Sequence, residues 1–206
     1  MSQLEETGKE RVFNSWRLMM KHLGTLQIET DRLNLRKFNL SDSQALFNNW
    51  GNDMEVTKFL TWPLIMSVAT AESILTKWTD SYADDKFYQW AIVIKENGNE
   101  PIGTINVVHM NEDIDMVHIG YCIGRKWWHK GITSEAFNGI ISFLIERVGV
   151  KRIESRHDPK NSNSGKVMLK CGLKYEGTLR NADINNQGIC DASMYALLGE
   201  DYYNSK

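Results

Sequence analysis

Apolar side chains recur along the chain with two different periods. Val117, Ile119 and Tyr121 occupy every second position of the segment 116–123, and this period of two predicts a β-strand. In the segment 136–148, apolar residues recur at three- and four-residue spacing, which predicts a helix with one buried face. The chain therefore passes from a strand into an amphipathic helix through a short connecting segment.

The same periods predict seven strands and five helices along the whole chain. Strands are expected at 28–38, 88–95, 102–110, 117–123, 152–157, 175–179 and 192–198. Helices are expected at 9–23, from Ser41 to about Trp50, from Ser67 to about Trp78, at 136–148, and from Ser164 to Cys171. Ser41 and Gln44 have the spacing of a capping box, and Asn97-Gly98-Asn99 is typical of a hairpin turn. After the first helix the order is β-α-α-β-β-β-α-β-α-β-β, which predicts an α+β fold.

Composition limits the class of protein. With 206 residues, 42% of them hydrophobic, the chain is expected to form one domain at 25–206, preceded by an N-terminal helical extension at 1–24. A net charge of −2 gives no general attraction to nucleic acid. The absence of a long apolar run and of a signal peptide predicts a cytoplasmic protein without a membrane partner. Three widely spaced cysteines indicate reduced thiols and no metal site.

The segment between the strand and the helix is basic and contains glycine. Residues 131–134 fall at the predicted helix N-terminus, where backbone N–H groups lack partners and the helix dipole favours an anion such as phosphate. Arg125, Lys126 and Lys130 add positive charge. The segment matches neither G-x-G-x-x-G nor the P-loop pattern. The alternative is an ordinary connection whose charges are solvated.

At this segment the chain resembles the GNAT superfamily of acyl-CoA-dependent N-acetyltransferases. Their pyrophosphate loop, Gln/Arg-x-x-Gly-x-Gly/Ala, is in register with Trp128 to Thr133 and differs from it at the first and last positions. Tryptophan in the first position, followed by Glu135-Ala136, resembles the branch of ribosomal-protein alanine N-acetyltransferases. Further matches to that branch follow in order: Thr30 to Arg36, Ile119-Gly120-Tyr121, Asn161-x-x-Ser164, Lys170-Cys171-Gly172-Leu173 with Glu176-Gly177, and Asn186-Gln187-Gly188 with Asp191 and Tyr195.

The resemblance implies a mixed seven-stranded sheet flanked by helices and a binding site for acetyl-CoA. Backbone N–H groups of the strand would polarise the thioester carbonyl, because in this family the strand splays from its neighbour. The cofactor-binding residues implied are Ile119, Tyr121, Ile123, Trp128, His129, Lys130, Gly131, Ile132, Thr133, Ser134, Asn161 and Ser164.

Three side chains are candidates for the proton transfers. His118 is the first choice for the base, since an unperturbed histidine titrates near pH 6.5, although the resembled branch often has glutamate there. Glu154 is the second choice, and both have the alternative of a purely structural role. Met168 stands where other branches carry a proton-donating tyrosine, so Ser164 is expected to hydrogen-bond the departing sulfur. Alternatively, Asn161 and Ser164 only cap the following helix.

The acceptor is expected to be an amine, most simply a protein N-terminal α-amine. The resemblance implies an acceptor cleft near Trp62 and Met66, with Tyr195 as a further contact, although such aromatic residues are often simply buried. A polyamine is the second hypothesis, supported by the acids Glu112, Asp113 and Asp115. A non-catalytic acyl-CoA-binding module is the third. Direct nucleic-acid binding is not expected, and the protein is expected to be a monomer or a homodimer.

Overall fold

The computed structural model describes residues 20–206, which form one eight-stranded sheet with helices on both faces. The strand order is β1-β2-β3-β4-β5-β6-β8-β7. The strands are β1 Ile28–Glu29, β2 Leu33–Arg36, β3 Gln89–Ile94, β4 Pro101–Asn111, β5 Met116–Ile123, β6 Arg152–His157, β7 Lys174–Asn185 and β8 Gly188–Leu198. The α-helices are α1 Ser43–Leu46, α2 Met54–Thr57, α3 Val68–Ser81, α4 Ile132–Phe143, α5 Ser162–Lys170 and α6 Gly199–Asn204.

The sheet is buried on both faces at its centre. In β3, Trp90 and Ile92 belong to one core cluster, while Ala91 and Val93 belong to the other. The first cluster holds the buried face of α4, as the helical periodicity of 136–148 predicts, and the second holds α1 and α3. Every pair of neighbouring strands is antiparallel except β5 and β6, which are parallel.

The sheet has eight strands because the predicted first strand is divided. Thr30 interrupts it: its N–H donates to the Leu33 carbonyl at 3.0 Å, and its hydroxyl accepts from the Leu33 N–H at 3.1 Å. The chain turns at this point and then pairs with itself, forming β1 and β2. The alternation of apolar residues continues through the turn, so the pattern alone did not reveal the break.

The helix predicted from Ser41 begins two residues earlier. Asn39, and not Ser41, is its N-cap, and the Asn39 N–H donates to the Asp42 carboxylate at 2.9 Å. Arg36 fixes the same carboxylate through an ion pair of 2.7 Å, which explains why Asp42 rather than Gln44 fills this role. A 3-10 turn, α1 and a π-helical turn at Phe47–Gly51 follow. The start predicted for α3 is confirmed, because Ser67 is its N-cap and accepts from the Thr70 N–H.

The two ends of the described chain also differ from the predictions. Most of the predicted helix at 9–23 lies outside the described residues, and its described part, 20–23, is not helical. There the Lys21 N–H donates to the Val148 carbonyl, and Met20 packs in the core. The closing hairpin is longer than predicted, because β7 continues through exposed polar residues that carry no apolar pattern. Within residues 20–206, no helix is both long and apolar enough to cross a membrane.

Candidate active site

The connection from β5 to α4 forms an open helix N-terminus. Gly131 caps α4 in the left-handed conformation, with φ of 73° and ψ of 4°. The first intrahelical bond runs from the Glu135 N–H to the Gly131 carbonyl at 3.0 Å, so the N–H groups of residues 132–134 precede the helical ladder. Trp128 fixes the entrance, since its indole N–H donates to the Ile123 carbonyl at 2.9 Å.

The positive charge at this N-terminus comes partly from residues that the sequence analysis did not select. Arg125 pairs with Asp53 at 3.0 Å, and Lys126 lies over the Trp127 ring. The guanidinium of Arg32 and the ammonium of Lys170 instead approach Gly131. Both residues belong to segments that match the resembled branch. Arg32 lies in the turn before β2 and Lys170 at the end of α5, and nothing in the sequence indicated that these two places would meet.

Strand β5 separates from β6 beside this turn. The two strands pair only from Met116 opposite Arg152 to His118 opposite Glu154. The Gly124 N–H donates toward β4, to the Ile102 carbonyl at 2.9 Å. Because N–H directions alternate along a strand, those of residues 121 and 123 point the other way, into the gap beyond the last pair of β5 with β6. The strand therefore offers backbone donors to a ligand, as the resemblance implied.

A cavity of about 330 Å³ fills this gap. It extends from the α4 N-terminus past the middle of β5 and the start of α5 to the α2 segment. Among the residues implied as cofactor contacts, it is lined by Tyr121, Ile123, Trp128, His129, Gly131, Ile132, Thr133, Ser134, Asn161 and Ser164. Ile119 is not among its lining residues, being 1% exposed in the core, and Lys130 lines a second cavity on the other side of Gly131.

Tyr121 and Ser164 form a pair of hydroxyl groups in this cavity. The Tyr121 hydroxyl lies 2.9 Å from the Ser164 hydroxyl and 2.9 Å from the Ser164 carbonyl oxygen. Burial raises the pKa of Tyr121, which keeps the phenol protonated. The helix begins at Ser162 with Asn161 as its N-cap and without a side-chain capping bond. Asn161 thus occupies the N-cap position, but its side chain makes no capping bond, and Ser164 lies within the first turn of the helix.

The two candidate bases lie where β5 and β6 separate, outside the cavity lining. His118 is 9% exposed, and burial, with the nearby Arg156 guanidinium, lowers its pKa to about 4. Its imidazole is therefore neutral at physiological pH, with little affinity for a proton. The Glu154 carboxylate accepts a hydrogen bond from Arg152 at 2.6 Å, so it is engaged in an ion pair.

The end of the cavity beside α2 has other lining residues than those that the resemblance implied for the acceptor cleft. Val56, Phe59 and Leu60 line it, whereas Trp62 and Met66 do not, and the Met66 side chain is 74% exposed. The periodicity of the sequence did not indicate Val56, Phe59 and Leu60, because they lie on the single helical turn α2 and in the irregular segment after it. Tyr195 lies behind Ser164: its hydroxyl is 3.1 Å from the point where a β-carbon on Gly165 would lie.

The acids that supported a polyamine acceptor lie at the opposite end of β5. Asp115 is fully buried and pairs with Lys151 at 2.8 Å, and Glu112 pairs with Lys86 at 2.5 Å. Both precede β5, whereas the turn at Gly131 follows it. Eight residues of strand at about 3.3 Å per residue separate the two ends by roughly 25 Å.

Comparison with known proteins assigns the class that this fold and site define. Residues 32–174, more than half of the chain, match the model of the acetyltransferase (GNAT) domain. The protein belongs to the GNAT family and is an acetyl-CoA-dependent N-acetyltransferase of that family.

Similar proteins include the uncharacterized N-acetyltransferase p20 of Bacillus licheniformis, 31% identical over 84% of this chain and 96% of that one. The ribosomal protein uS5-alanine N-acetyltransferase of Escherichia coli is 33% identical over 29% of this chain and 31% of that one. The crystal structure of the microcin C7 self-immunity acetyltransferase MccE, in complex with acetyl-CoA and AMP, superposes with a TM-score of 0.73. It is 23% identical and covers 82% of this chain and 93% of that one, so this likeness shows the shared fold.

Proposed function

We propose that the protein transfers the acetyl group of acetyl-CoA to the α-amine of a protein N-terminus. One observation carries the choice of acceptor. Among the described residues that line the cavity there is no carboxylate, and the candidate bases beside it are a histidine of low pKa and an ion-paired glutamate. The site therefore suits an amine that loses its proton without help.

The residues fit acetyl-CoA at both ends of the cavity. Gly131 leaves open the space that a side chain would fill, beside the free N–H groups at the positive end of α4, which suits the pyrophosphate. From there the cavity extends past Asn161 to Tyr121 and Ser164, which suits the pantetheine arm and its thioester. When bound, acetyl-CoA supplies an activated carbonyl and a thiol leaving group.

The protein's own groups then hold the reacting atoms. The N–H groups of residues 121 and 123 point into the gap, where they can donate to the thioester oxygen as negative charge develops on it. Loss of one such donor typically costs about 3 kcal/mol of transition-state stabilisation. The Ser164 hydroxyl, held by Tyr121, is available to donate a proton to the departing sulfur, so that CoA leaves as the thiol. The proton that the attacking amine loses restores the serine hydroxyl.

The weak base explains the preference for an α-amine. An N-terminal amine has a pKa of about 7.7 to 8.0, so a good fraction is neutral at pH 7.5, whereas a lysine amine near 10.4 is almost entirely protonated. His118, with its pKa near 4, is a poor proton acceptor for either. Direct attack by an amine that is already neutral is therefore the route that this site supports.

A polyamine fits this cavity less well. The described lining residues include Lys166 and Lys170 but no acid, so the cavity repels a polycation, and the acidic residues before β5 are too distant to compensate. Part of the chain also resembles an alanine acetyltransferase for ribosomal protein uS5, which supports a protein N-terminus as the acceptor. The Tyr121–Ser164 pair supports catalysis over a purely ligand-binding role.

The test is a comparison of acceptors at fixed acetyl-CoA concentration, with thiol release and product mass as the readouts. We expect acetylation of peptides that begin with Ala or Ser, no acetylation of an Nα-blocked peptide that contains lysine, and little activity on spermidine. The rate at subsaturating peptide should rise with pH up to about pH 8, because deprotonation of the α-amine limits it. Faster turnover of spermidine, or of the blocked peptide, would overturn the proposal.

A further inference from the structure

A second cavity meets the first one at Gly131. It has a volume of about 740 Å³ and lies on the side of the turn that faces the β1–β2 connection. Its walls are polar and carry both charges: the cations Arg32, Lys130 and Lys170, and the carboxylates Asp31 and Glu135. Since Gly131, Ser134 and Lys170 line both cavities, a ligand held at the N-terminus of α4 can extend into both.

Glu135 fixes Arg32 in the wall of this second cavity. Its carboxylate accepts three hydrogen bonds, from the Thr30 hydroxyl at 2.6 Å, the Arg32 N–H at 2.8 Å and the Arg32 Nε at 2.6 Å. Burial would raise the pKa of Glu135, but these bonds outweigh it and hold the pKa below its usual value. The carboxylate therefore stays charged and keeps the guanidinium in one orientation.

In this orientation the Arg32 guanidinium keeps one nitrogen, Nη2, available to a ligand. Nε is used by Glu135, and Nη1 donates to the Lys130 carbonyl at 3.1 Å. Nη2 points toward Gly131 and lies 3.7 Å from the point where a β-carbon on that residue would lie. The Lys170 ammonium lies 3.6 Å from the same point and has no ion pair within residues 20–206. Two cations from distant parts of the chain thus converge on one side of the turn.

A phosphate group suits two such cations, because guanidinium and ammonium groups form strong charge-assisted hydrogen bonds with its oxygens. In CoA the pyrophosphate links the pantetheine arm to a nucleotide that carries a separate 3′-phosphate. If the pantetheine arm occupies the first cavity and the pyrophosphate the α4 N-terminus, the nucleotide half leaves on the side of the second cavity. We propose that Arg32 and Lys170 bind the 3′-phosphate of CoA and that Glu135 is the positioning residue for Arg32. This proposal rests on the proposed function.

The experiment compares the affinities of CoA and dephospho-CoA, which differ only in the 3′-phosphate. Isothermal titration calorimetry at one fixed ionic strength gives both dissociation constants without turnover. For the unmodified protein we expect CoA to bind at least tenfold more tightly than dephospho-CoA. Arg32→Gln and Lys170→Gln should each weaken CoA binding about tenfold while changing the affinity for dephospho-CoA less than twofold.

Glu135→Gln tests the positioning role, because Glu135 itself carries the wrong charge to bind a phosphate. It should reduce the preference for CoA over dephospho-CoA several-fold, an effect that simple loss of stability would not produce. Lys77→Gln is the matched control: Lys77 is exposed on α3, on the opposite face of the sheet, and its loss should leave the preference unchanged. Thermal unfolding without ligand verifies that each variant is folded.

Three outcomes would overturn the proposal. Equal affinity of the unmodified protein for the two ligands would mean that the 3′-phosphate is not recognised. If Arg32→Gln and Lys170→Gln weaken the binding of CoA and of dephospho-CoA equally, the two cations bind the pyrophosphate, which both ligands contain. Binding of neither ligand would overturn the proposed function as well. By contrast, the expected discrimination without acetyl transfer to any peptide would contradict the proposed function while supporting the phosphate site.

Discussion

The hydroxyl of Tyr121 lies 2.9 Å from the hydroxyl of Ser164, and this contact joins β5 to α5 beside the gap between β5 and β6. The tyrosine ring packs against Phe137, which fixes its direction. At position 168, where other branches of the family carry a tyrosine, Met168 is completely buried in the core. A tyrosine hydroxyl thus reaches the cavity from the strand, where it orients Ser164.

Replacing Tyr121 with Phe should lower kcat about tenfold with little change in the KM for acetyl-CoA. The ring and its packing remain, while one hydrogen bond of about 0.5 to 1.5 kcal/mol is lost. Ser164→Ala should lower kcat by roughly a hundredfold, as expected for loss of a general acid. Steady-state kinetics of the double variant should match Ser164→Ala, because both changes remove the same proton donation. If the losses in kcat of the two single variants multiply in the double variant, the two hydroxyl groups do not share one role. Tyr203→Phe, at an exposed tyrosine, is the control and should leave kcat unchanged.

Gly131→Glu should abolish binding of acetyl-CoA while the protein remains folded. The added carboxylate would lie beside Arg32 and Lys170, where it neutralises the two cations and repels the pyrophosphate. Acetyl-CoA at 100 times its dissociation constant should stabilise the unmodified protein by about 2.7 kcal/mol, seen as a higher Tm. The variant should show no such shift.

Gly149→Glu separates this effect from backbone strain. Gly149 is also left-handed, with φ of 86°, but nothing lies within 4 Å of the position of its β-carbon. Both variants carry the cost of a side chain in this conformation, about 1 kcal/mol. A Tm increase with acetyl-CoA in Gly149→Glu and not in Gly131→Glu would attribute the loss to the binding site. If acetyl-CoA still raises the Tm of Gly131→Glu, the turn is not part of the cofactor site.

His118 should make the protein less stable as the pH falls from about 6.5 to 4. Burial and the Arg156 and His109 charges lower its folded pKa to about 4, against the opposing effect of Glu154 and Asp183, whereas an unfolded histidine titrates near 6.5. In this window the unfolded chain binds the additional proton, so the free energy of unfolding should fall by up to about 3 kcal/mol. Urea unfolding across this range should show a weaker decline for His118→Gln. The same weakening in His129→Gln, at an exposed histidine that does not act on His118, would contradict this assignment.

Replacing Asn186 should change the KM for the peptide acceptor and not the KM for acetyl-CoA. Its side-chain amide donates to the carbonyls of Thr57 and Trp62, each at 2.8 Å, and thereby ties the β7–β8 turn to the segment that contains Phe59. Asn186→Asp replaces this donor with an acceptor, so the KM for a peptide should rise several-fold while that for acetyl-CoA stays constant. Gln187→Glu makes the same chemical change at a neighbour whose contact, at 3.4 Å, is weak. A parallel rise in both KM values would indicate general destabilisation instead.

The sequence was most informative where local chemistry decides the structure. The alternation at 116–123, the helical period after it and the glycine between them predicted the strand and the open helix N-terminus, because each depends on residues a few positions apart. The start of α3 at Ser67 and the end of α5 near Cys171 were predicted for the same reason. The break at Thr30 was missed, because its hydrogen bonds to Leu33 leave the apolar alternation unchanged.

The sequence by itself therefore determined the α+β fold, the open helix N-terminus at Gly131 and Ser164 as a candidate catalytic residue. Only the tertiary structure decided which charges reach that turn and which side chains line the cavity beside α2. Glu135 holds Arg32, 103 positions earlier in the chain, beside Gly131, and an ion pair diverts Arg125 away from it. The environment of His118 was also a tertiary property, because its low pKa comes from burial and from charges on neighbouring strands. Such contacts depend on how the strands and helices pack, and no local pattern encodes them.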